Sequence, residues 1–158
     1  MRNRWASLST TDRSIAVGAA VVFIAGFLPW WGYTGPARVY GASVAGWSSG
    51  FTAWAGILLL VAAGALHVAR VSDIKVPELP FGPASAVAGA AALGLLFVVI
   101  RWLTLPRVHG GLAGSVGARY GIWIAIVAGA VELAGASSVF RASGEPLPWA
   151  QAGRPDET

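Results

Sequence analysis

The chain has 158 residues, of which 56% are hydrophobic and only 11% are charged, and its formal net charge is +4. A soluble domain carries about 25% charged residues, so the composition excludes an ordinary soluble enzyme, a disordered chain and a coiled coil, and indicates a membrane protein. The lack of cysteine excludes disulfide bonds, thiolate metal sites and cysteine nucleophiles. Because the basic residues are scattered between apolar segments, they indicate contact with lipid and control of orientation rather than nucleic-acid binding.

Four apolar segments follow one another along the chain. Roughly 18–21 residues at ~1.5 Å per residue match a hydrocarbon layer of ~30 Å. The segments are continuously apolar rather than alternating, and backbone groups in lipid must be paired within the segment, so helices are predicted rather than barrel strands. We therefore predict an all-α integral membrane protein, a four-helix transmembrane bundle over residues 1–141 with helices at about 14–31, 51–69, 83–103 and 120–140.

The first segment follows three arginines and ends in Pro29-Trp30-Trp31. Basic residues ahead of an apolar run are also the pattern of a cleaved signal peptide. The length of the run and its aromatic ending favour a retained helix that is anchored at the membrane interface.

The second helix carries a histidine near its last turn. At 100° per residue His67 shares a face with Gly56 and Ala63, so it is predicted to point at a neighbouring helix. The third helix begins at Pro83, which suits a first helical turn, and carries Arg101 near its other end. We interpret Arg101 either as an interface anchor or as the floor of an outer anion site.

Glu132 lies well inside the fourth helix, on the small-residue face of Gly121, Ala125 and Gly129. An acid at this depth is costly in lipid and marks a candidate functional residue. We predict a hydrogen bond or ion pair between His67 and Glu132, which would satisfy both groups in low dielectric. Two interpretations stay open: the two residues lock the packing, with His67 reaching towards the interface, or they bind a proton or a ligand.

The orientation follows from the basic residues. Residues 142–158 are rich in proline and glycine and are predicted to form a disordered cytoplasmic tail. Seven Lys and Arg residues lie on the side of the two termini and four on the other side. The positive-inside rule then predicts a plasma-membrane protein with both termini in the cytoplasm.

Six of the eight tryptophans lie at the predicted outer end. They form either an aromatic belt at the lipid headgroups or, together with the basic residues, a surface that meets an anionic lipid or partner. The candidate anion or lipid surface consists of Arg38, Arg101, Arg107, Arg119, Trp30, Trp31, Trp47 and Trp102.

The sequence contains no pattern typical of a catalytic, cofactor or metal site. His109 has no second candidate ligand nearby, and a metal needs three or four. The serines lack a base at a triad spacing, and the glycines are typical of turns and helix contacts. We therefore predict no catalytic, cofactor-binding or metal-binding residues.

Four stretches carry a resemblance: LPWWG (28–32), GWSSGFTAWAGILLLVAAGAL (46–66), RWLTLP (101–106) and ARYGIWIAIVAGAVELAGA (118–136). Together they resemble a family of uncharacterised four-helix membrane proteins from actinobacteria. The resemblance covers most of the chain except the tail. It implies a four-span plasma-membrane protein and supplies no activity and no site.

Three functions stay open. The first is a non-enzymatic accessory or scaffold subunit of a larger cell-envelope or transport complex, with membrane lipids, another membrane protein or a second copy of the chain as partners. The alternative is a small carrier, or a lipid- or anion-binding bundle, that uses Glu132 and His67 in the membrane together with the basic, Trp-rich outer surface. This alternative predicts a polar, water-accessible cavity at Glu132. A membrane enzyme comes third, because it needs a polar cluster at one membrane interface and the sequence does not indicate one.

Overall fold

The structure is a computed structural model that describes residues 8–33, 41–74, 82–106 and 116–145. Its elements, in chain order, are α1 (Thr10–Ala25), β1 (Pro29–Tyr33), β2 (Ser43–Ala45), a 3-10 turn (Gly46–Ser48), α2 (Phe51–Val71), α3 (Pro83–Leu103), β3 (Val116–Ala118) and α4 (Tyr120–Ser143). Most of the described chain is helical. The small sheet shows that the protein is not purely all-α, and the predicted fold class is corrected in that respect.

Three helices of the described part, α2, α3 and α4, are long and apolar enough to cross a membrane, with 21, 21 and 24 residues. α3 has the bounds that the sequence predicts, with Pro83 in its first turn. α2 extends two residues past the predicted end. α4 continues to Ser143 and ends at Gly144, whose φ of 66° suits a glycine. Residues 142 and 143 are therefore helical rather than tail, and residues 146–158 lie outside the described part.

The first helix differs most from its predicted range of 14–31. α1 begins at Thr10 because Ser9 and Asp12 form a capping box, in which each side chain bonds to the backbone N–H of the other residue. It ends at Ala25, since Pro29 has no N–H to continue the helix and its ring clashes with a helical carbonyl four residues back. With 16 residues, α1 has a length of about 24 Å.

The aromatic run that was predicted to end the first helix forms a strand instead. β1 lies in the middle of a three-stranded antiparallel sheet and pairs with β2 on one side and β3 on the other. Trp31 lies opposite Val44 of β2 and Ala118 of β3. The sheet satisfies backbone groups of a segment that Pro29 excludes from helix.

The four helices pack side by side, and each of them contacts two neighbours: α1 and α3 both pack against α2 and α4. Small residues allow close approach. A Cβ added at Gly56 of α2 would lie 2.9 Å from the carbonyl oxygen of Gly94 in α3. A Cβ added at Gly18 of α1 would lie 3.0 Å from the carbonyl oxygen of Ala128 in α4. These two glycines let the helix backbones touch, as small residues do in membrane proteins.

The two ends of the helix assembly have different contents. At one end, which we call the Asp12 end, α1 and α3 begin and α2 and α4 finish, because Asp12 meets His67 and Glu145 meets Ser85. The other end carries the three strands, and we call it the sheet end. There the backbone N–H of Arg119 donates to the carbonyl of Trp30 at 2.8 Å, which joins the start of α4 to β1.

Candidate functional site

The most unusual group in the described part is the carboxyl of Glu132. Its side chain is fully buried, with 0% exposure. Gly18 of α1 packs against its Cβ, and Gly64 of α2 lies near its Oε1. Neither carboxyl oxygen has a hydrogen-bond partner with good geometry among the described residues. The N–H of Gly64 faces the carboxyl, but this residue lies inside α2, where its N–H belongs to the helix.

His67 pairs with a different acid from the one that the sequence predicts. Its Nε2 lies 2.8 Å from Oδ1 of Asp12, and the two side chains are 3% and 20% exposed. The predicted hydrogen bond between His67 and Glu132 is therefore not formed. The physical reason is the early start of α1: the capping box brings the acid of the first turn alongside the last turns of α2.

Asp12 uses its two oxygens for different tasks. Oδ2 accepts hydrogen bonds from the backbone N–H and the hydroxyl of Ser9, at 3.0 and 2.6 Å, while Oδ1 faces His67. Asp12 was not among the predicted site residues. The spacing of Ser9 and Asp12 is nevertheless the signature of a capping box and marks this acid in the sequence.

Glu132 and His67 still belong to one buried region. Gly64, which lies near Glu132, precedes His67 by three residues in α2, and residues three apart are neighbours on a helix surface. The Nδ1 atom of His67 is also buried without a partner in the described part. We call Asp12, His67 and Glu132 the polar series, because the three side chains become steadily more buried from the Asp12 end to the middle of the helices.

The polar cavity that the carrier hypothesis predicts at Glu132 is not among the cavities that the structure describes. One of these is an apolar groove of about 460 Å³ between α1 and α4, lined by Val17, Gly18, Val21, Trp123, Ile124, Val127, Ala128 and Val131. Another is a pocket of about 210 Å³ at the sheet end, lined by Pro29, Tyr33, Gly41, Ala42, Ser43 and Arg119. Neither has Glu132 or His67 in its wall.

At the sheet end, Ser49 joins two of the predicted surface residues. Its buried hydroxyl oxygen accepts hydrogen bonds from Nε1 of Trp31 at 2.9 Å and from Nε of Arg101 at 3.0 Å. Ser49 precedes α2, so this contact ties the start of α2 to the last turn of α3. The sequence offers no signal for Ser49, because its partners are 18 and 52 residues away.

Arg119 lies against the polar pocket. Its guanidinium donates a hydrogen bond to the backbone carbonyl of Tyr33 at 2.6 Å, while its Nε is buried without a partner among the described residues. Arg101 and Arg119 thus have different partners. Arg38 and Arg107, which were predicted to join them, lie outside the described residues, as does His109.

The predicted surface tryptophans have three different environments. Trp30 is 0% exposed and belongs to the hydrophobic core, so its assignment to a binding surface is wrong. Its N–H finds a partner in the interior, which lets a large polar-tipped ring be buried. Trp47 is partly buried beside Phe23 and Phe27, with ring centroids 5.7 and 5.8 Å apart. Trp102 is partly buried and packs edge-on against Trp123.

Glu145 is a second acid that the sequence analysis does not single out. Its carboxyl oxygens accept hydrogen bonds from the backbone N–H groups of Ala84 and Ser85, at 3.1 and 2.8 Å. An acid that follows α4 therefore caps the first turn of α3, where free N–H groups attract negative charge. This cap acts between two elements that lie 60 residues apart in the chain.

Comparison of the chain with models of protein families, with curated proteins and with solved structures found no match in any of the three. The resemblance to actinobacterial four-helix membrane proteins therefore stays a prediction from the sequence.

Proposed function

We propose that all four helices cross a lipid bilayer as one transmembrane bundle. α1 is the shortest helix, but it packs between α2 and α4, both of which are long enough to cross. Its outward side chains are apolar, with Val17, Phe23 and Ile24 about half exposed at 52%, 45% and 59%. An apolar outer surface of this kind fits a lipid environment and not water.

We propose that the chain lies in the plasma membrane, with the Asp12 end and both termini on the cytoplasmic side, as the basic residues of the sequence predict. Single cysteines test this directly, because the chain has no native cysteine. Ser48→Cys and Ser143→Cys replace exposed serines at the sheet end and at the Asp12 end. In intact cells, a membrane-impermeant maleimide is expected to label Ser48→Cys and to leave Ser143→Cys unlabelled until the membrane is opened. The reverse labelling pattern would show that the protein has the opposite orientation.

The function that the geometry supports best is binding of a proton or a small cation at Glu132; this proposal keeps the titratable acid of the carrier alternative but not its polar cavity. The single observation that carries this proposal is a fully buried carboxyl with no partner for either oxygen in the described part. An ionised carboxylate without a partner is costly in an apolar interior. Packing does not explain an acid at this position, because a leucine would fill the same space without the cost of burying a carboxylate.

The test is infrared difference spectroscopy of the full-length protein in lipid vesicles. The carboxyl bands are compared across a series of pH values and across Na⁺ and K⁺ concentrations. We expect one buried carboxyl to change with pH or with one of the cations, and we expect that change to vanish in Glu132→Gln. Asp73→Asn is the matched control, because Asp73 is an exposed acid at the same end and asparagine tolerates its φ of 56°. A carboxyl of Glu132 that stays the same under all these conditions would end the proposal.

A second candidate is the accessory or scaffold subunit of a larger membrane complex. The apolar groove between α1 and α4 favours it, because small residues at its floor, Gly18 and Ala128, permit close approach of another apolar helix. Crosslinking in native membranes followed by mass spectrometry tests this candidate. Crosslinks from groove residues to another membrane protein, or to a second copy of the chain, support it, and crosslinks within one chain alone would argue against it.

The sheet end supports the anion- or lipid-binding part of the alternative more weakly. Its described charged side chains are the arginines Arg101 and Arg119, and the described acids lie elsewhere. Arg119 adjoins the pocket of about 210 Å³ at this end. Binding of anionic lipid that weakens in Arg119→Gln, but not in Arg141→Gln at the opposite end, would favour this role.

A further inference from the structure

The surroundings of Glu132 indicate which species it binds. Metal cations such as Ca²⁺ and Mg²⁺ take about six oxygen ligands, whereas the acid supplies two and its neighbours on α1 and α2 are the glycines Gly18 and Gly64. The described part of the chain holds no cluster of three or more His, Cys, Asp or Glu that suits a metal. The packing is also tight, because a Cβ at Gly18 would lie 2.8 Å from the Cβ of Glu132. A proton needs no cavity and no further ligands.

The route from the sheet end to this carboxyl is apolar. On that side the next layers of the interior are formed by Leu60, Ala125, Ile122 and Trp30, each with 0% exposure. None of these side chains relays a proton to the interior, because the N–H of Trp30 is held by a carbonyl oxygen at its own end. Access from the sheet end is therefore closed.

The route from the Asp12 end is lined by groups that exchange protons. The exposed fraction falls from 20% at the side chain of Asp12 to 3% at that of His67, and Glu132 is completely buried. Imidazole can accept a proton on one nitrogen while it releases another from the second nitrogen. Nε2 of His67 faces Asp12, and Nδ1 is buried and lacks a partner in the described part.

Other charged groups on the helices around Glu132 do not share this interior. α3 contributes none in this half, since its one charged side chain is at the sheet end. The basic residues of the other helices near the Asp12 end are exposed or half-exposed, namely Arg13, Arg70 and Arg141. His67 is thus the titratable group that lies between Glu132 and the surface acid in the described part.

We propose that Glu132 takes up its proton from the Asp12 end through the polar series; this rests on the proposed function of Glu132. In the starting state His67 is neutral with its proton on Nδ1, so Nε2 can accept; a proton from solution binds to Oδ1 of Asp12 and passes to Nε2. The two side chains His67 and Glu132 are not hydrogen-bonded in the structure, so they must turn towards each other before the N–H bond at Nδ1 breaks and an O–H bond forms on the carboxylate of Glu132. One solution proton is consumed, one carboxylate becomes neutral, and His67 is left neutral with its proton on Nε2. Release of the proton reverses the steps towards the same end.

The experiment is a pH jump on the full-length protein in vesicles, with the carboxyl band of Glu132 followed by time-resolved infrared spectroscopy. We expect His67→Gln to slow protonation by about 100-fold, the size of effect typical for a lost acid–base group, while the final extent of protonation stays the same. Asp12→Asn keeps one oxygen for Ser9 and turns its amide NH2 towards His67, so it cannot carry the proton and is expected to slow the reaction as well. Asp73→Asn is expected to keep the native rate.

Each outcome is decisive because two quantities are measured. A native rate in both His67→Gln and Asp12→Asn would overturn the relay while leaving the binding function of Glu132 intact. A band that responds to Na⁺ or K⁺ and not to pH would replace the proton by a cation. Complete absence of a Glu132 response would remove the proposed function itself. Circular dichroism and size-exclusion chromatography establish that each variant is folded. If one of the variants His67→Gln and Asp12→Asn does not fold, the other still tests the relay.

Discussion

The indole N–H of Trp30 donates a hydrogen bond to the carbonyl oxygen of Ala25 at 2.8 Å. Ala25 is the last residue of α1, and its carbonyl oxygen also accepts a hydrogen bond from the backbone N–H of Leu28 at 3.1 Å. The tryptophan therefore closes the helix that precedes it and fills the core between the sheet and α4 with the same side chain. The hydrogen bond explains why Trp30 is fully buried although the pair Trp30-Trp31 is typical of a membrane interface.

Trp30→Phe tests that bond. Phenylalanine removes the indole N–H, so the Ala25 carbonyl keeps only the N–H of Leu28 as a donor, and the lost hydrogen bond costs about 1 kcal/mol of unfolding free energy. The measurement is the unfolding midpoint in detergent. Trp54→Phe is the control, because Trp54 is 40% exposed and lies against Phe51 through its ring. Equal effects of the two substitutions would show that the hydrogen bond of Trp30 contributes nothing.

Gly18→Ala tests the contact between α1 and α4. The added methyl group would meet the Cβ of Glu132 at 2.8 Å and a backbone carbonyl oxygen of α4 at 3.0 Å. Overpacking of this kind costs about 1–3 kcal/mol, so we expect a lower unfolding midpoint. Gly89→Ala is the matched control, since nothing lies within 4 Å of its added Cβ, and alanine favours helix over glycine by about 1 kcal/mol. A native midpoint in Gly18→Ala would mean that the two helices are not in close contact.

Glu145→Ala tests the cap that follows α4 and serves α3. It removes the acceptors of the Ala84 and Ser85 N–H groups, and loss of a cap costs about 1 kcal/mol. We expect faster hydrogen exchange at these two amides and little change in the middle of α3. Glu145→Gln keeps one good acceptor and should have an intermediate effect. Exchange rates that are the same in all three proteins would contradict the cap.

Ser49→Ala tests the junction of α2 and α3 at the sheet end. The substitution removes the acceptor shared by Trp31 and Arg101, and two donors that lose a buried partner cost about 2 kcal/mol together. The unfolding midpoint reports the loss, and Ser48→Ala, at an exposed neighbour, serves as control. If the effects of Ser49→Ala and Trp31→Phe are additive, the Ser49 hydroxyl and the Trp31 indole do not interact.

The helices could be predicted because their signal is local. A run of about 20 apolar residues in lipid has few conformations open to it, and α3 accordingly has the predicted bounds. The end of α1 was missed because Pro29 was interpreted as part of an interface anchor. In a helix, however, the proline ring would clash with the carbonyl group of the residue four positions earlier. The strand that follows depends on β3, which lies more than 80 residues later in the chain, and no local pattern shows such a partner.

The site was predicted in part for the same reason. Helical periodicity puts Glu132 and His67 on buried faces, and both are buried. The partner of His67 depends on how far α1 extends and on how its first turn lies against α2, and both of these are tertiary facts. Glu145 and Ser49 were missed because their contacts join residues 18 to 61 positions apart.

The order of the strands has a consequence for how the protein is made. β1 follows the first helix, whereas β3 directly precedes the last one. When the ribosome has produced three of the helices, β1 still lacks one of its neighbours, and the indole of Trp30 still lacks the wall that Gly121 provides. The nascent chain is therefore exposed to proteases and chaperones until β3 and α4 have been synthesised. Truncation before β3 leaves the strand that follows the first helix without one of its partners.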